Sequence, residues 1–532
     1  MDNNDEKVTY FAEADARGKQ LKFGIKQKDR SRHVYVIGKT GMGKSTVLEN
    51  MAVQDIQSGE GIAFIDPHGK TADLLLEYVP KERIDDVLYF APFDLDYPVS
   101  FNVMEDVGYD KRYLVVSGLM SSFKKVWGEE TWSDRMEYIL GNTLLALLEY
   151  PDSTLLSVNK MLADKSYRNK VIANITDPSV KAYWTEEFAS YTERFAAEAT
   201  PAIQNKIGQF TANPLIRNII GQPKSSFDLR EMMDQKKIVI VNLSKGRVGE
   251  SNANLLGSLL ITKMYLSAMS RADNEGGKMP RFYLFVDEFQ SFANESFADI
   301  LSEARKYELS LTIAHQYIEQ MSEEVRAAVF GNVGTMITFR VGAYDAEILE
   351  KEFAPKFTAE DLVNLGFVQI YLKLMIDGIS SQPFSAKTLP PIEKEEKSYK
   401  KEVIESSRRK YGKPRSEVEE LVKKLVADGG QEKQGDHEKR ERSRYDKPRN
   451  NQRQQQRPQQ QEKQRNPFAN IVIPEKPKQQ NRQPEKKKDT KKPSKENVSD
   501  LKAALSSLVS DKKGPEKTEK EIPEGELKKI LD

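Results

Sequence analysis

Short runs of apolar residues recur along the chain, and segments with helical periodicity separate them. Each run has the length of a buried strand and ends at polar or turn-forming residues. The runs occupy residues 34–37, 61–66, 87–90, 237–243, 282–286, 309–314, 335–339 and 368–374. Strands that alternate with helices are typical of a parallel sheet wrapped by helices. The pattern therefore predicts an α/β fold with a doubly wound, mainly parallel sheet.

Between residues 106 and 235 the apolar positions instead follow helical spacing, as in residues 136–150 and 191–210. We therefore expect an all-helical insertion at 106–235. It would divide the α/β domain into parts at 31–105 and 236–392, after an N-terminal segment at 1–30. The insertion carries adjacent lysines and two tryptophans, namely Lys124, Lys125, Trp127 and Trp132. They suit either contact with bases and phosphates or, more commonly, an aromatic core flanked by solvated lysines.

The composition changes after about residue 393. Residues 451–461 contain only Gln, Arg, Pro and Asn, and other long stretches are nearly free of aliphatic side chains. Such a segment buries too little apolar surface to offset the entropy lost on ordering, so we expect a largely disordered tail at 393–532. Three islands with helical periodicity lie at residues 416–427, 498–509 and 525–531. They suit either docking segments that fold on a partner or inert linker.

The near-neutral net charge of +1 conceals an asymmetry. Residues 393–532 hold 38 Lys+Arg against 27 Asp+Glu, whereas residues 1–392 hold 44 against 54. An acidic body does not present a broad surface for nucleic acid, so any contacts with nucleic acid would have to be local. The basic tail could add weak, salt-sensitive attachment to DNA.

Cysteine is absent and only four histidines are present, which argues against a disulfide framework and a zinc site. The first residues lack the basic and apolar regions of a secretory signal. The most apolar later stretch, at 255–269, is short and contains Lys263, so it is not expected to span a membrane. We therefore expect a cytoplasmic protein that reaches the cytoplasmic membrane, if at all, through a partner.

One segment, GKTGMGKS at residues 38–45, matches the full phosphate-binding loop pattern G-x-x-x-x-G-K-[ST]. It follows a predicted strand and precedes a helical pattern, which is the context that this loop requires. Backbone N–H groups would surround the phosphates, Lys44 would reach the β- and γ-phosphates, and the Ser45 hydroxyl would bind Mg²⁺. We therefore predict that ATP is bound by Gly38, Lys39, Thr40, Gly41, Met42, Gly43, Lys44, Ser45 and Thr46.

Two carboxylates, Asp287 and Glu288, follow the apolar run at 282–286. Asp287 is placed to hold the magnesium shell, and Glu288 is placed to take a proton from the attacking water. A nucleotide switch or a simple kinase has little use for the second acid. The pair therefore favours a motor ATPase.

Two further polar residues, Arg305 and Gln316, lie on the next two predicted elements. Gln316 follows the strand at 309–314, where it could sense the γ-phosphate. Arg305 falls in a helix predicted at 298–307; its spacing suits either an ordinary solvated residue or an arginine finger for a neighbouring subunit. Arg340, after the strand at 335–339, is a second candidate for that contact.

The turn Asp66-Pro67-His68-Gly69 follows the second predicted strand of the motor domain. Beside a phosphate loop it could order water bound to Mg²⁺ or sense the nucleotide. Proline and glycine are also the usual residues of a plain tight turn, and the sequence favours neither interpretation.

Together, the loop, the 66–69 turn, the acidic pair, Arg305 and Gln316 resemble the motor domain of the HerA–FtsK superfamily. Within it, the chain is most similar to the conjugative coupling ATPases of type IV secretion systems, over roughly residues 20–390. The resemblance implies a RecA-like P-loop NTPase that uses ATP and Mg²⁺ and assembles into homo-hexameric rings that thread DNA. It also implies that Arg305 acts in trans and that Gln316 couples hydrolysis to movement. The usual N-terminal membrane anchor of coupling proteins is not evident here.

The leading hypothesis is an ATP-driven DNA translocase, a coupling or pumping ATPase for conjugation-like DNA transfer. Its tail would bind membrane-spanning or relaxase-type proteins. One alternative is a HerA-like DNA-processing motor that works with a nuclease. Another is an ATP-dependent assembly or adaptor protein that recruits partners through the tail.

Overall fold

The structure is a computed structural model, and it describes residues 5–16, 19–105, 107–273, 279–294 and 296–427. Thirteen strands lie within these ranges, and eleven of them form one sheet. The strands are β1 (Val8–Ala16), β2 (Lys19–Lys26), β3 (Val34–Ile37), β4 (Gly61–Asp66), β5 (Val87–Phe90), β6 (Ile238–Asn242), β7 (Phe282–Val286), β8 (Leu309–His315), β9 (Thr335–Thr338), β10 (Gln369–Lys373), β11 (Met375–Ile376), β12 (Ile379–Ser380) and β13 (Phe384–Thr388).

Helices precede, connect and follow these strands. They are α1 (Gln27–Arg30), α2 (Lys44–Gln57), α3 (Lys70–Leu75), α4 (Arg112–Trp127), α5 (Asp134–Leu148), α6 (Leu156–Ala163), α7 (Lys165–Asn174), α8 (Pro178–Ala182), α9 (Phe188–Ser190), α10 (Glu193–Ala199), α11 (Pro201–Ala212), α12 (Pro214–Ile220), α13 (Leu229–Asp234), α14 (Lys245–Val248), α15 (Glu250–Ser270), α16 (Ser296–Glu303), α17 (Glu323–Asn332), α18 (Ala343–Phe353), α19 (Ala359–Val363), α20 (Lys400–Tyr411) and α21 (Arg415–Ala427).

The large sheet has the strand order β2-β1-β13-β10-β9-β3-β8-β7-β4-β6-β5. The strands from β9 to β5 in this order pair in parallel, and the four at the other end pair antiparallel. Strand β3 is buried on both faces: Tyr35 and Ile37 join one apolar cluster, and Val34 and Val36 join another. Burial on both faces explains why the parallel strands read as continuous apolar runs. The predicted α/β class with a mainly parallel sheet is confirmed.

The antiparallel end of the sheet contains strands that the apolar pattern did not predict. The N-terminal segment at 1–30, for which no strand was predicted, provides β1 and β2, and β13 joins them near the chain's other end. Most residues of β2 are exposed or half-buried, and lysines interrupt its apolar positions. Edge strands are commonly charged in this way, so a search for buried apolar runs passes over them.

Between β5 and β6 the described residues form helices α4–α13 and no strand, as predicted for the all-helical insertion. In α4, Trp127 stacks between Phe123 and Trp132, with ring centroids 4.7 and 5.7 Å away. Lys124 forms a 2.8 Å ion pair with Glu137. The tryptophans therefore belong to an aromatic core with a paired lysine beside it, as in the more common of the two interpretations.

Two helices continue beyond residue 393, where the sequence predicted the tail to begin. The first of them, α20, lies against the edge of β5. The backbone N–H of Tyr89 in β5 donates to Ser407 Oγ at 2.9 Å. Arg408 donates to both carboxylate oxygens of Asp94, which follows β5. The island predicted at 416–427 is helix α21, which packs against α12 of the same chain. The boundary at 393 is thus too early, because α20 is polar and has few apolar residues. The islands at 498–509 and 525–531 lie outside the described residues.

Among the described residues, no helix combines the length and the apolar character needed to cross a bilayer.

Candidate nucleotide-binding site

The loop at 38–45 connects β3 to α2 at the carboxyl edge of the parallel strands. Its backbone is held by the ends of both neighbouring strands. The N–H of Gly38 donates to the carbonyl of His315 at 3.3 Å, and the N–H of Lys39 donates to the carbonyl of Arg340 at 2.8 Å. The loop is therefore fixed between β8 and β9, and α2 begins directly after it at Lys44.

Two glycines give the loop a backbone shape that other residues rarely adopt. Gly41 and Gly43 have φ angles of 77° and 117°. A Cβ atom added at Gly43 would also lie only 3.2 Å from the ring of Phe339. These constraints keep the loop wrapped around the amino end of α2, where free N–H groups and the helix dipole favour an anion.

Lys44 and Ser45 occupy the first turn of α2, together with Thr46. The Lys44 ammonium lies against the loop, where it donates to the carbonyls of Gly38 at 2.6 Å and Lys39 at 3.2 Å. Burial lowers the pKa of Lys44, and nearby carboxylates partly offset that effect. A phosphate would give this buried cation a stronger partner than neutral carbonyl groups.

Asp287 follows β7 and accepts a hydrogen bond from Ser45 Oγ at 3.2 Å. Burial, reinforced by the carboxylates of Glu288 and Asp66, raises the pKa of Asp287 to about 6. The described residues contain no group of three or more potential ligands that would form an all-protein metal site. Mg²⁺ in nucleotide sites needs only one or two protein oxygens besides phosphates and water, so Ser45 and Asp287 fit it.

Glu288 has an uncommon backbone conformation, and two side-chain amides contact its carboxylate. Its φ angle is 49°, which lies in the left-handed region. Gln316 Nε2 donates to Glu288 Oε1, and Gln290 Nε2 donates to Oε2. Gln316 also accepts a hydrogen bond from Thr40 Oγ1 at 2.9 Å. Gln316 therefore connects the phosphate loop to the carboxylate that was predicted to be the general base.

Arg305 lies at the opposite edge of the sheet from this cluster. It sits in a 3₁₀ turn, Ala304–Tyr307, that leads into β8, whereas Gln316 follows the last residue of β8. A seven-residue strand at about 3.3 Å per residue separates the two by about 20 Å. The side chain is exposed, and within the described part of the chain it has no hydrogen-bond or ion-pair partner. Arg305 therefore cannot serve the phosphate loop of its own subunit.

Arg340, the second candidate for a contact in trans, lies beside the loop of its own chain. Its guanidinium approaches Met42 with 3.3 Å between Nη2 and Sδ, and its carbonyl accepts the hydrogen bond from Lys39. The structure thus places Arg340 in cis at the loop. This position becomes evident only when β9 is known to run parallel to β3, because residues that follow the two strands then lie at the same edge of the sheet.

The side chain of Asp66 holds the turn at 66–69 together. The carboxylate of Asp66 accepts hydrogen bonds from the N–H groups of His68 at 2.8 Å and Ala72 at 2.9 Å. Gly69 has a φ of 85°, and a Cβ there would lie 2.4 Å from Asn242 Oδ1. Both carboxylate oxygens thus have partners, which supports the interpretation of a tight turn. The same carboxylate lies close enough to Asp287 to raise its pKa.

His315 is a site residue to which the sequence gave no role. It precedes Gln316, its ring lies 3.2 Å from the Tyr35 hydroxyl, and its carbonyl accepts from the phosphate loop. Burial, with smaller effects from Lys44 and Lys125, lowers the pKa of His315 to about 3. A neutral imidazole therefore supports the strand end that presents Gln316. The sequence feature that could have identified His315 as a site residue is its position next to Gln316 at the end of an apolar run.

The sheet order, the loop at 38–45 and the acidic pair at the end of β7 define a RecA-like P-loop nucleoside triphosphatase fold. Residues 3–340 match the family model for type IV secretory system conjugative DNA transfer. The chain belongs to that family.

Solved structures of a bacterial conjugative coupling protein share the fold. Plasmid coupling protein TrwB in complex with ADP and Mg²⁺ matches with a TM-score of 0.53 at 15% identity, over 74% of this chain and 98% of that one. The unbound monoclinic form of TrwBΔN70 matches with a TM-score of 0.52 at 14% identity, over 70% and 88%. Among curated proteins, a sequence search finds no match.

Proposed function

We propose that this protein is an ATP-driven DNA translocase, a coupling or pumping ATPase for conjugation-like DNA transfer through a type IV secretion system. The observation that carries the proposal is the continuous set of contacts from the phosphate loop through Gln316 to Glu288. Family membership supports DNA as the transported partner. The neighbour of similar fold that binds ADP and Mg²⁺ supports these ligands here.

ATP binding rests on the loop and on the first turn of α2. The N–H groups of residues 38–45 and the amino end of α2 receive the phosphates, and Lys44 turns from the loop carbonyls to the β- and γ-phosphates. Ser45 and Asp287 hold Mg²⁺, which when bound neutralises charge on the phosphates.

Hydrolysis uses Glu288 as the general base. The oxygen of a water molecule attacks the γ-phosphorus, the bond from that phosphorus to the ADP oxygen breaks, and the water proton passes to Glu288. The amides of Gln316 and Gln290 fix the orientation of the Glu288 carboxylate. Gln316 also contacts Thr40 in the loop. It therefore couples the presence or absence of a γ-phosphate in the loop to the position of the end of β8.

Movement of DNA requires neighbouring subunits to act in turn. We assign Arg305 to the phosphates of the adjacent subunit in a homo-hexameric ring, since it lies too far from its own. The acidic body confines DNA contacts to local positions in the pore. The tail after residue 427 would bind a membrane-spanning or relaxase-type partner and bring this protein to the cytoplasmic face of the membrane.

The test measures phosphate release by assembled protein with and without single- and double-stranded DNA at two salt concentrations. DNA should stimulate turnover without sequence preference, and higher salt should weaken the stimulation. Glu288→Gln should bind ATP without turning it over, whereas Lys44→Ala should lose tight binding. Turnover that ignores both forms of DNA would favour an assembly or adaptor protein. Wild-type turnover by Glu288→Gln would remove Glu288 as the base.

A further inference from the structure

A strained turn lies against the phosphate loop on the side away from the catalytic carboxylates. It comprises Gly366–Gln369 and leads into β10, which pairs antiparallel with β9, so the turn sits at the carboxyl edge of the parallel strands. Val368 has a φ of 56°, which is costly for a β-branched residue. Its side chain reaches to 3.6 Å from the position of a Cβ added at Gly43. The turn is thus packed directly onto the loop.

Several hydrogen bonds hold this turn in place. The N–H of Gly366 donates to the side chain of Gln369 at 2.8 Å, and the carbonyl of Val368 accepts from Thr388 on β13 at 3.0 Å. The residue presented by this rigid turn is Phe367, whose side chain is 70% exposed. Backbone strain that is held by surrounding contacts is characteristic of binding sites, and this strained turn presents an exposed aromatic ring beside the phosphate loop.

The orientation of the triphosphate follows from the order of the strands. Glu288 and Gln316 lie after β7 and β8, on one side of β3, so the γ-phosphate points toward that side. The nucleoside must then leave the loop toward the other side, where β9 and β10 lie. Phe367, on the turn that leads into β10, is an exposed aromatic side chain on that side.

We propose that Phe367 is the stacking platform for the adenine base of the bound nucleotide. This inference rests on the proposed function, because it requires phosphates in the loop. A planar ring on a rigid turn offers a base its apolar face at little cost in side-chain entropy. Val368 lies against the loop and the adjacent residue Phe367 presents its ring to the base. The strained backbone at Val368 is then the consequence of placing these two side chains in these positions.

The test compares the binding of ADP with that of inorganic tripolyphosphate, which has no base. Phe367→Ala should weaken ADP binding about 5- to 150-fold, the range for loss of one stacked base, and leave tripolyphosphate affinity unchanged. Phe367→Trp should restore ADP binding, and its fluorescence should change when ADP is added. Ile379→Ala removes another exposed apolar side chain, 75% exposed beyond the far end of β10, and should change neither affinity.

The outcomes separate this inference from the function on which it rests. Unchanged ADP affinity in Phe367→Ala would overturn the stacking role, as would equal weakening of ADP and tripolyphosphate, which would mean that the loop itself had been disturbed. Lys44→Ala should weaken both ligands. If it weakened neither, the nucleotide site itself would be misassigned, whatever Phe367 does.

Discussion

Replacing Arg305 with alanine should stop turnover in an assembled ring although Arg305 lies far from the phosphate loop of its own chain. The seven residues of β8 separate it from Gln316 by about 20 Å, so any nucleotide that it contacts would have to be bound to a neighbouring subunit. An arginine finger contributes about 10³–10⁵ in rate because it neutralises charge that develops on the transferred phosphoryl group. Arg305→Ala should lose about that factor in phosphate release while its affinity for ADP is retained.

The deciding assay mixes Arg305→Ala subunits with Lys44→Ala subunits, each inactive alone. An active interface then pairs an intact loop from an Arg305→Ala subunit with an intact arginine from a Lys44→Ala subunit. Random mixing in equal amounts produces that pairing at about one interface in four, so turnover should recover to at most about a quarter of the wild-type rate. Lys306→Ala is the matched control, because Lys306 is the adjacent exposed cation and, among the described residues, pairs with Glu303 at 2.8 Å.

Full turnover by Arg305→Ala alone would refute the reasoning directly. Mixed rings that form but recover no turnover would refute it as well. Such rings would still contain interfaces that pair an intact loop with an intact Arg305, and those interfaces should be active. Lys306→Ala should behave as the wild type, and a comparable loss there would point to a disturbed 3₁₀ turn rather than to a missing finger.

Three further predictions follow from contacts in the structure. Gln316→Ala removes the connection to Glu288, so hydrolysis should fall by about 10² or more at unchanged ADP affinity; phosphate release and ADP titration would check this, and equal losses in both would contradict it. His33 donates to the Leu301 carbonyl and accepts from the Leu311 N–H, and burial lowers its pKa to about 4. Between pH 6.5 and 4 the unfolded chain therefore binds more protons, so stability should be fully present above pH 6.5 and should fall by about 2 kcal/mol by pH 5. His33→Gln should show a correspondingly smaller loss between pH 7.5 and 5 in urea unfolding, and an identical loss would exclude His33 as its source. Asp55→Ala leaves the buried Arg30 without its bidentate partner at 2.7 and 2.8 Å, so the free energy of unfolding should drop by about 3–5 kcal/mol; a change below 1 kcal/mol in urea unfolding would show that Arg30 is not buried as described.

The sequence was sufficient for the parallel part of the sheet because those strands are buried on both faces and consist of continuous apolar residues. It was insufficient for β1, β2 and β13, since polar residues interrupt these strands and their pairing is set by distant parts of the chain. It also missed α20, whose place on β5 depends on single contacts such as that between Tyr89 and Ser407. These elements are fixed by tertiary pairing rather than by local pattern.

The candidate site likewise contains some residues that the sequence identifies and others that only the structure identifies. The loop at 38–45 and the pair Asp287-Glu288 are contiguous motifs, and the structure places them together as their chemistry requires. The position of Arg340 beside its own loop depends on the register of β9 against β3, and the positions of His315 and Phe367 near the loop depend on neighbours far along the chain. None of these follows from spacing alone, because spacing gives order along the chain and not the side of the sheet on which a residue falls.

The helix that lies along β5 decides where this protein can be shortened. A version that stops near residue 393 would lose α20 and α21, and the backbone groups of β5 would be open to a strand from another molecule. Such a fragment would self-associate through its sheet, and an aggregate formed in that way could be mistaken for an assembled ring. A version that stops after residue 427 keeps α20 on β5 and α21 on α12.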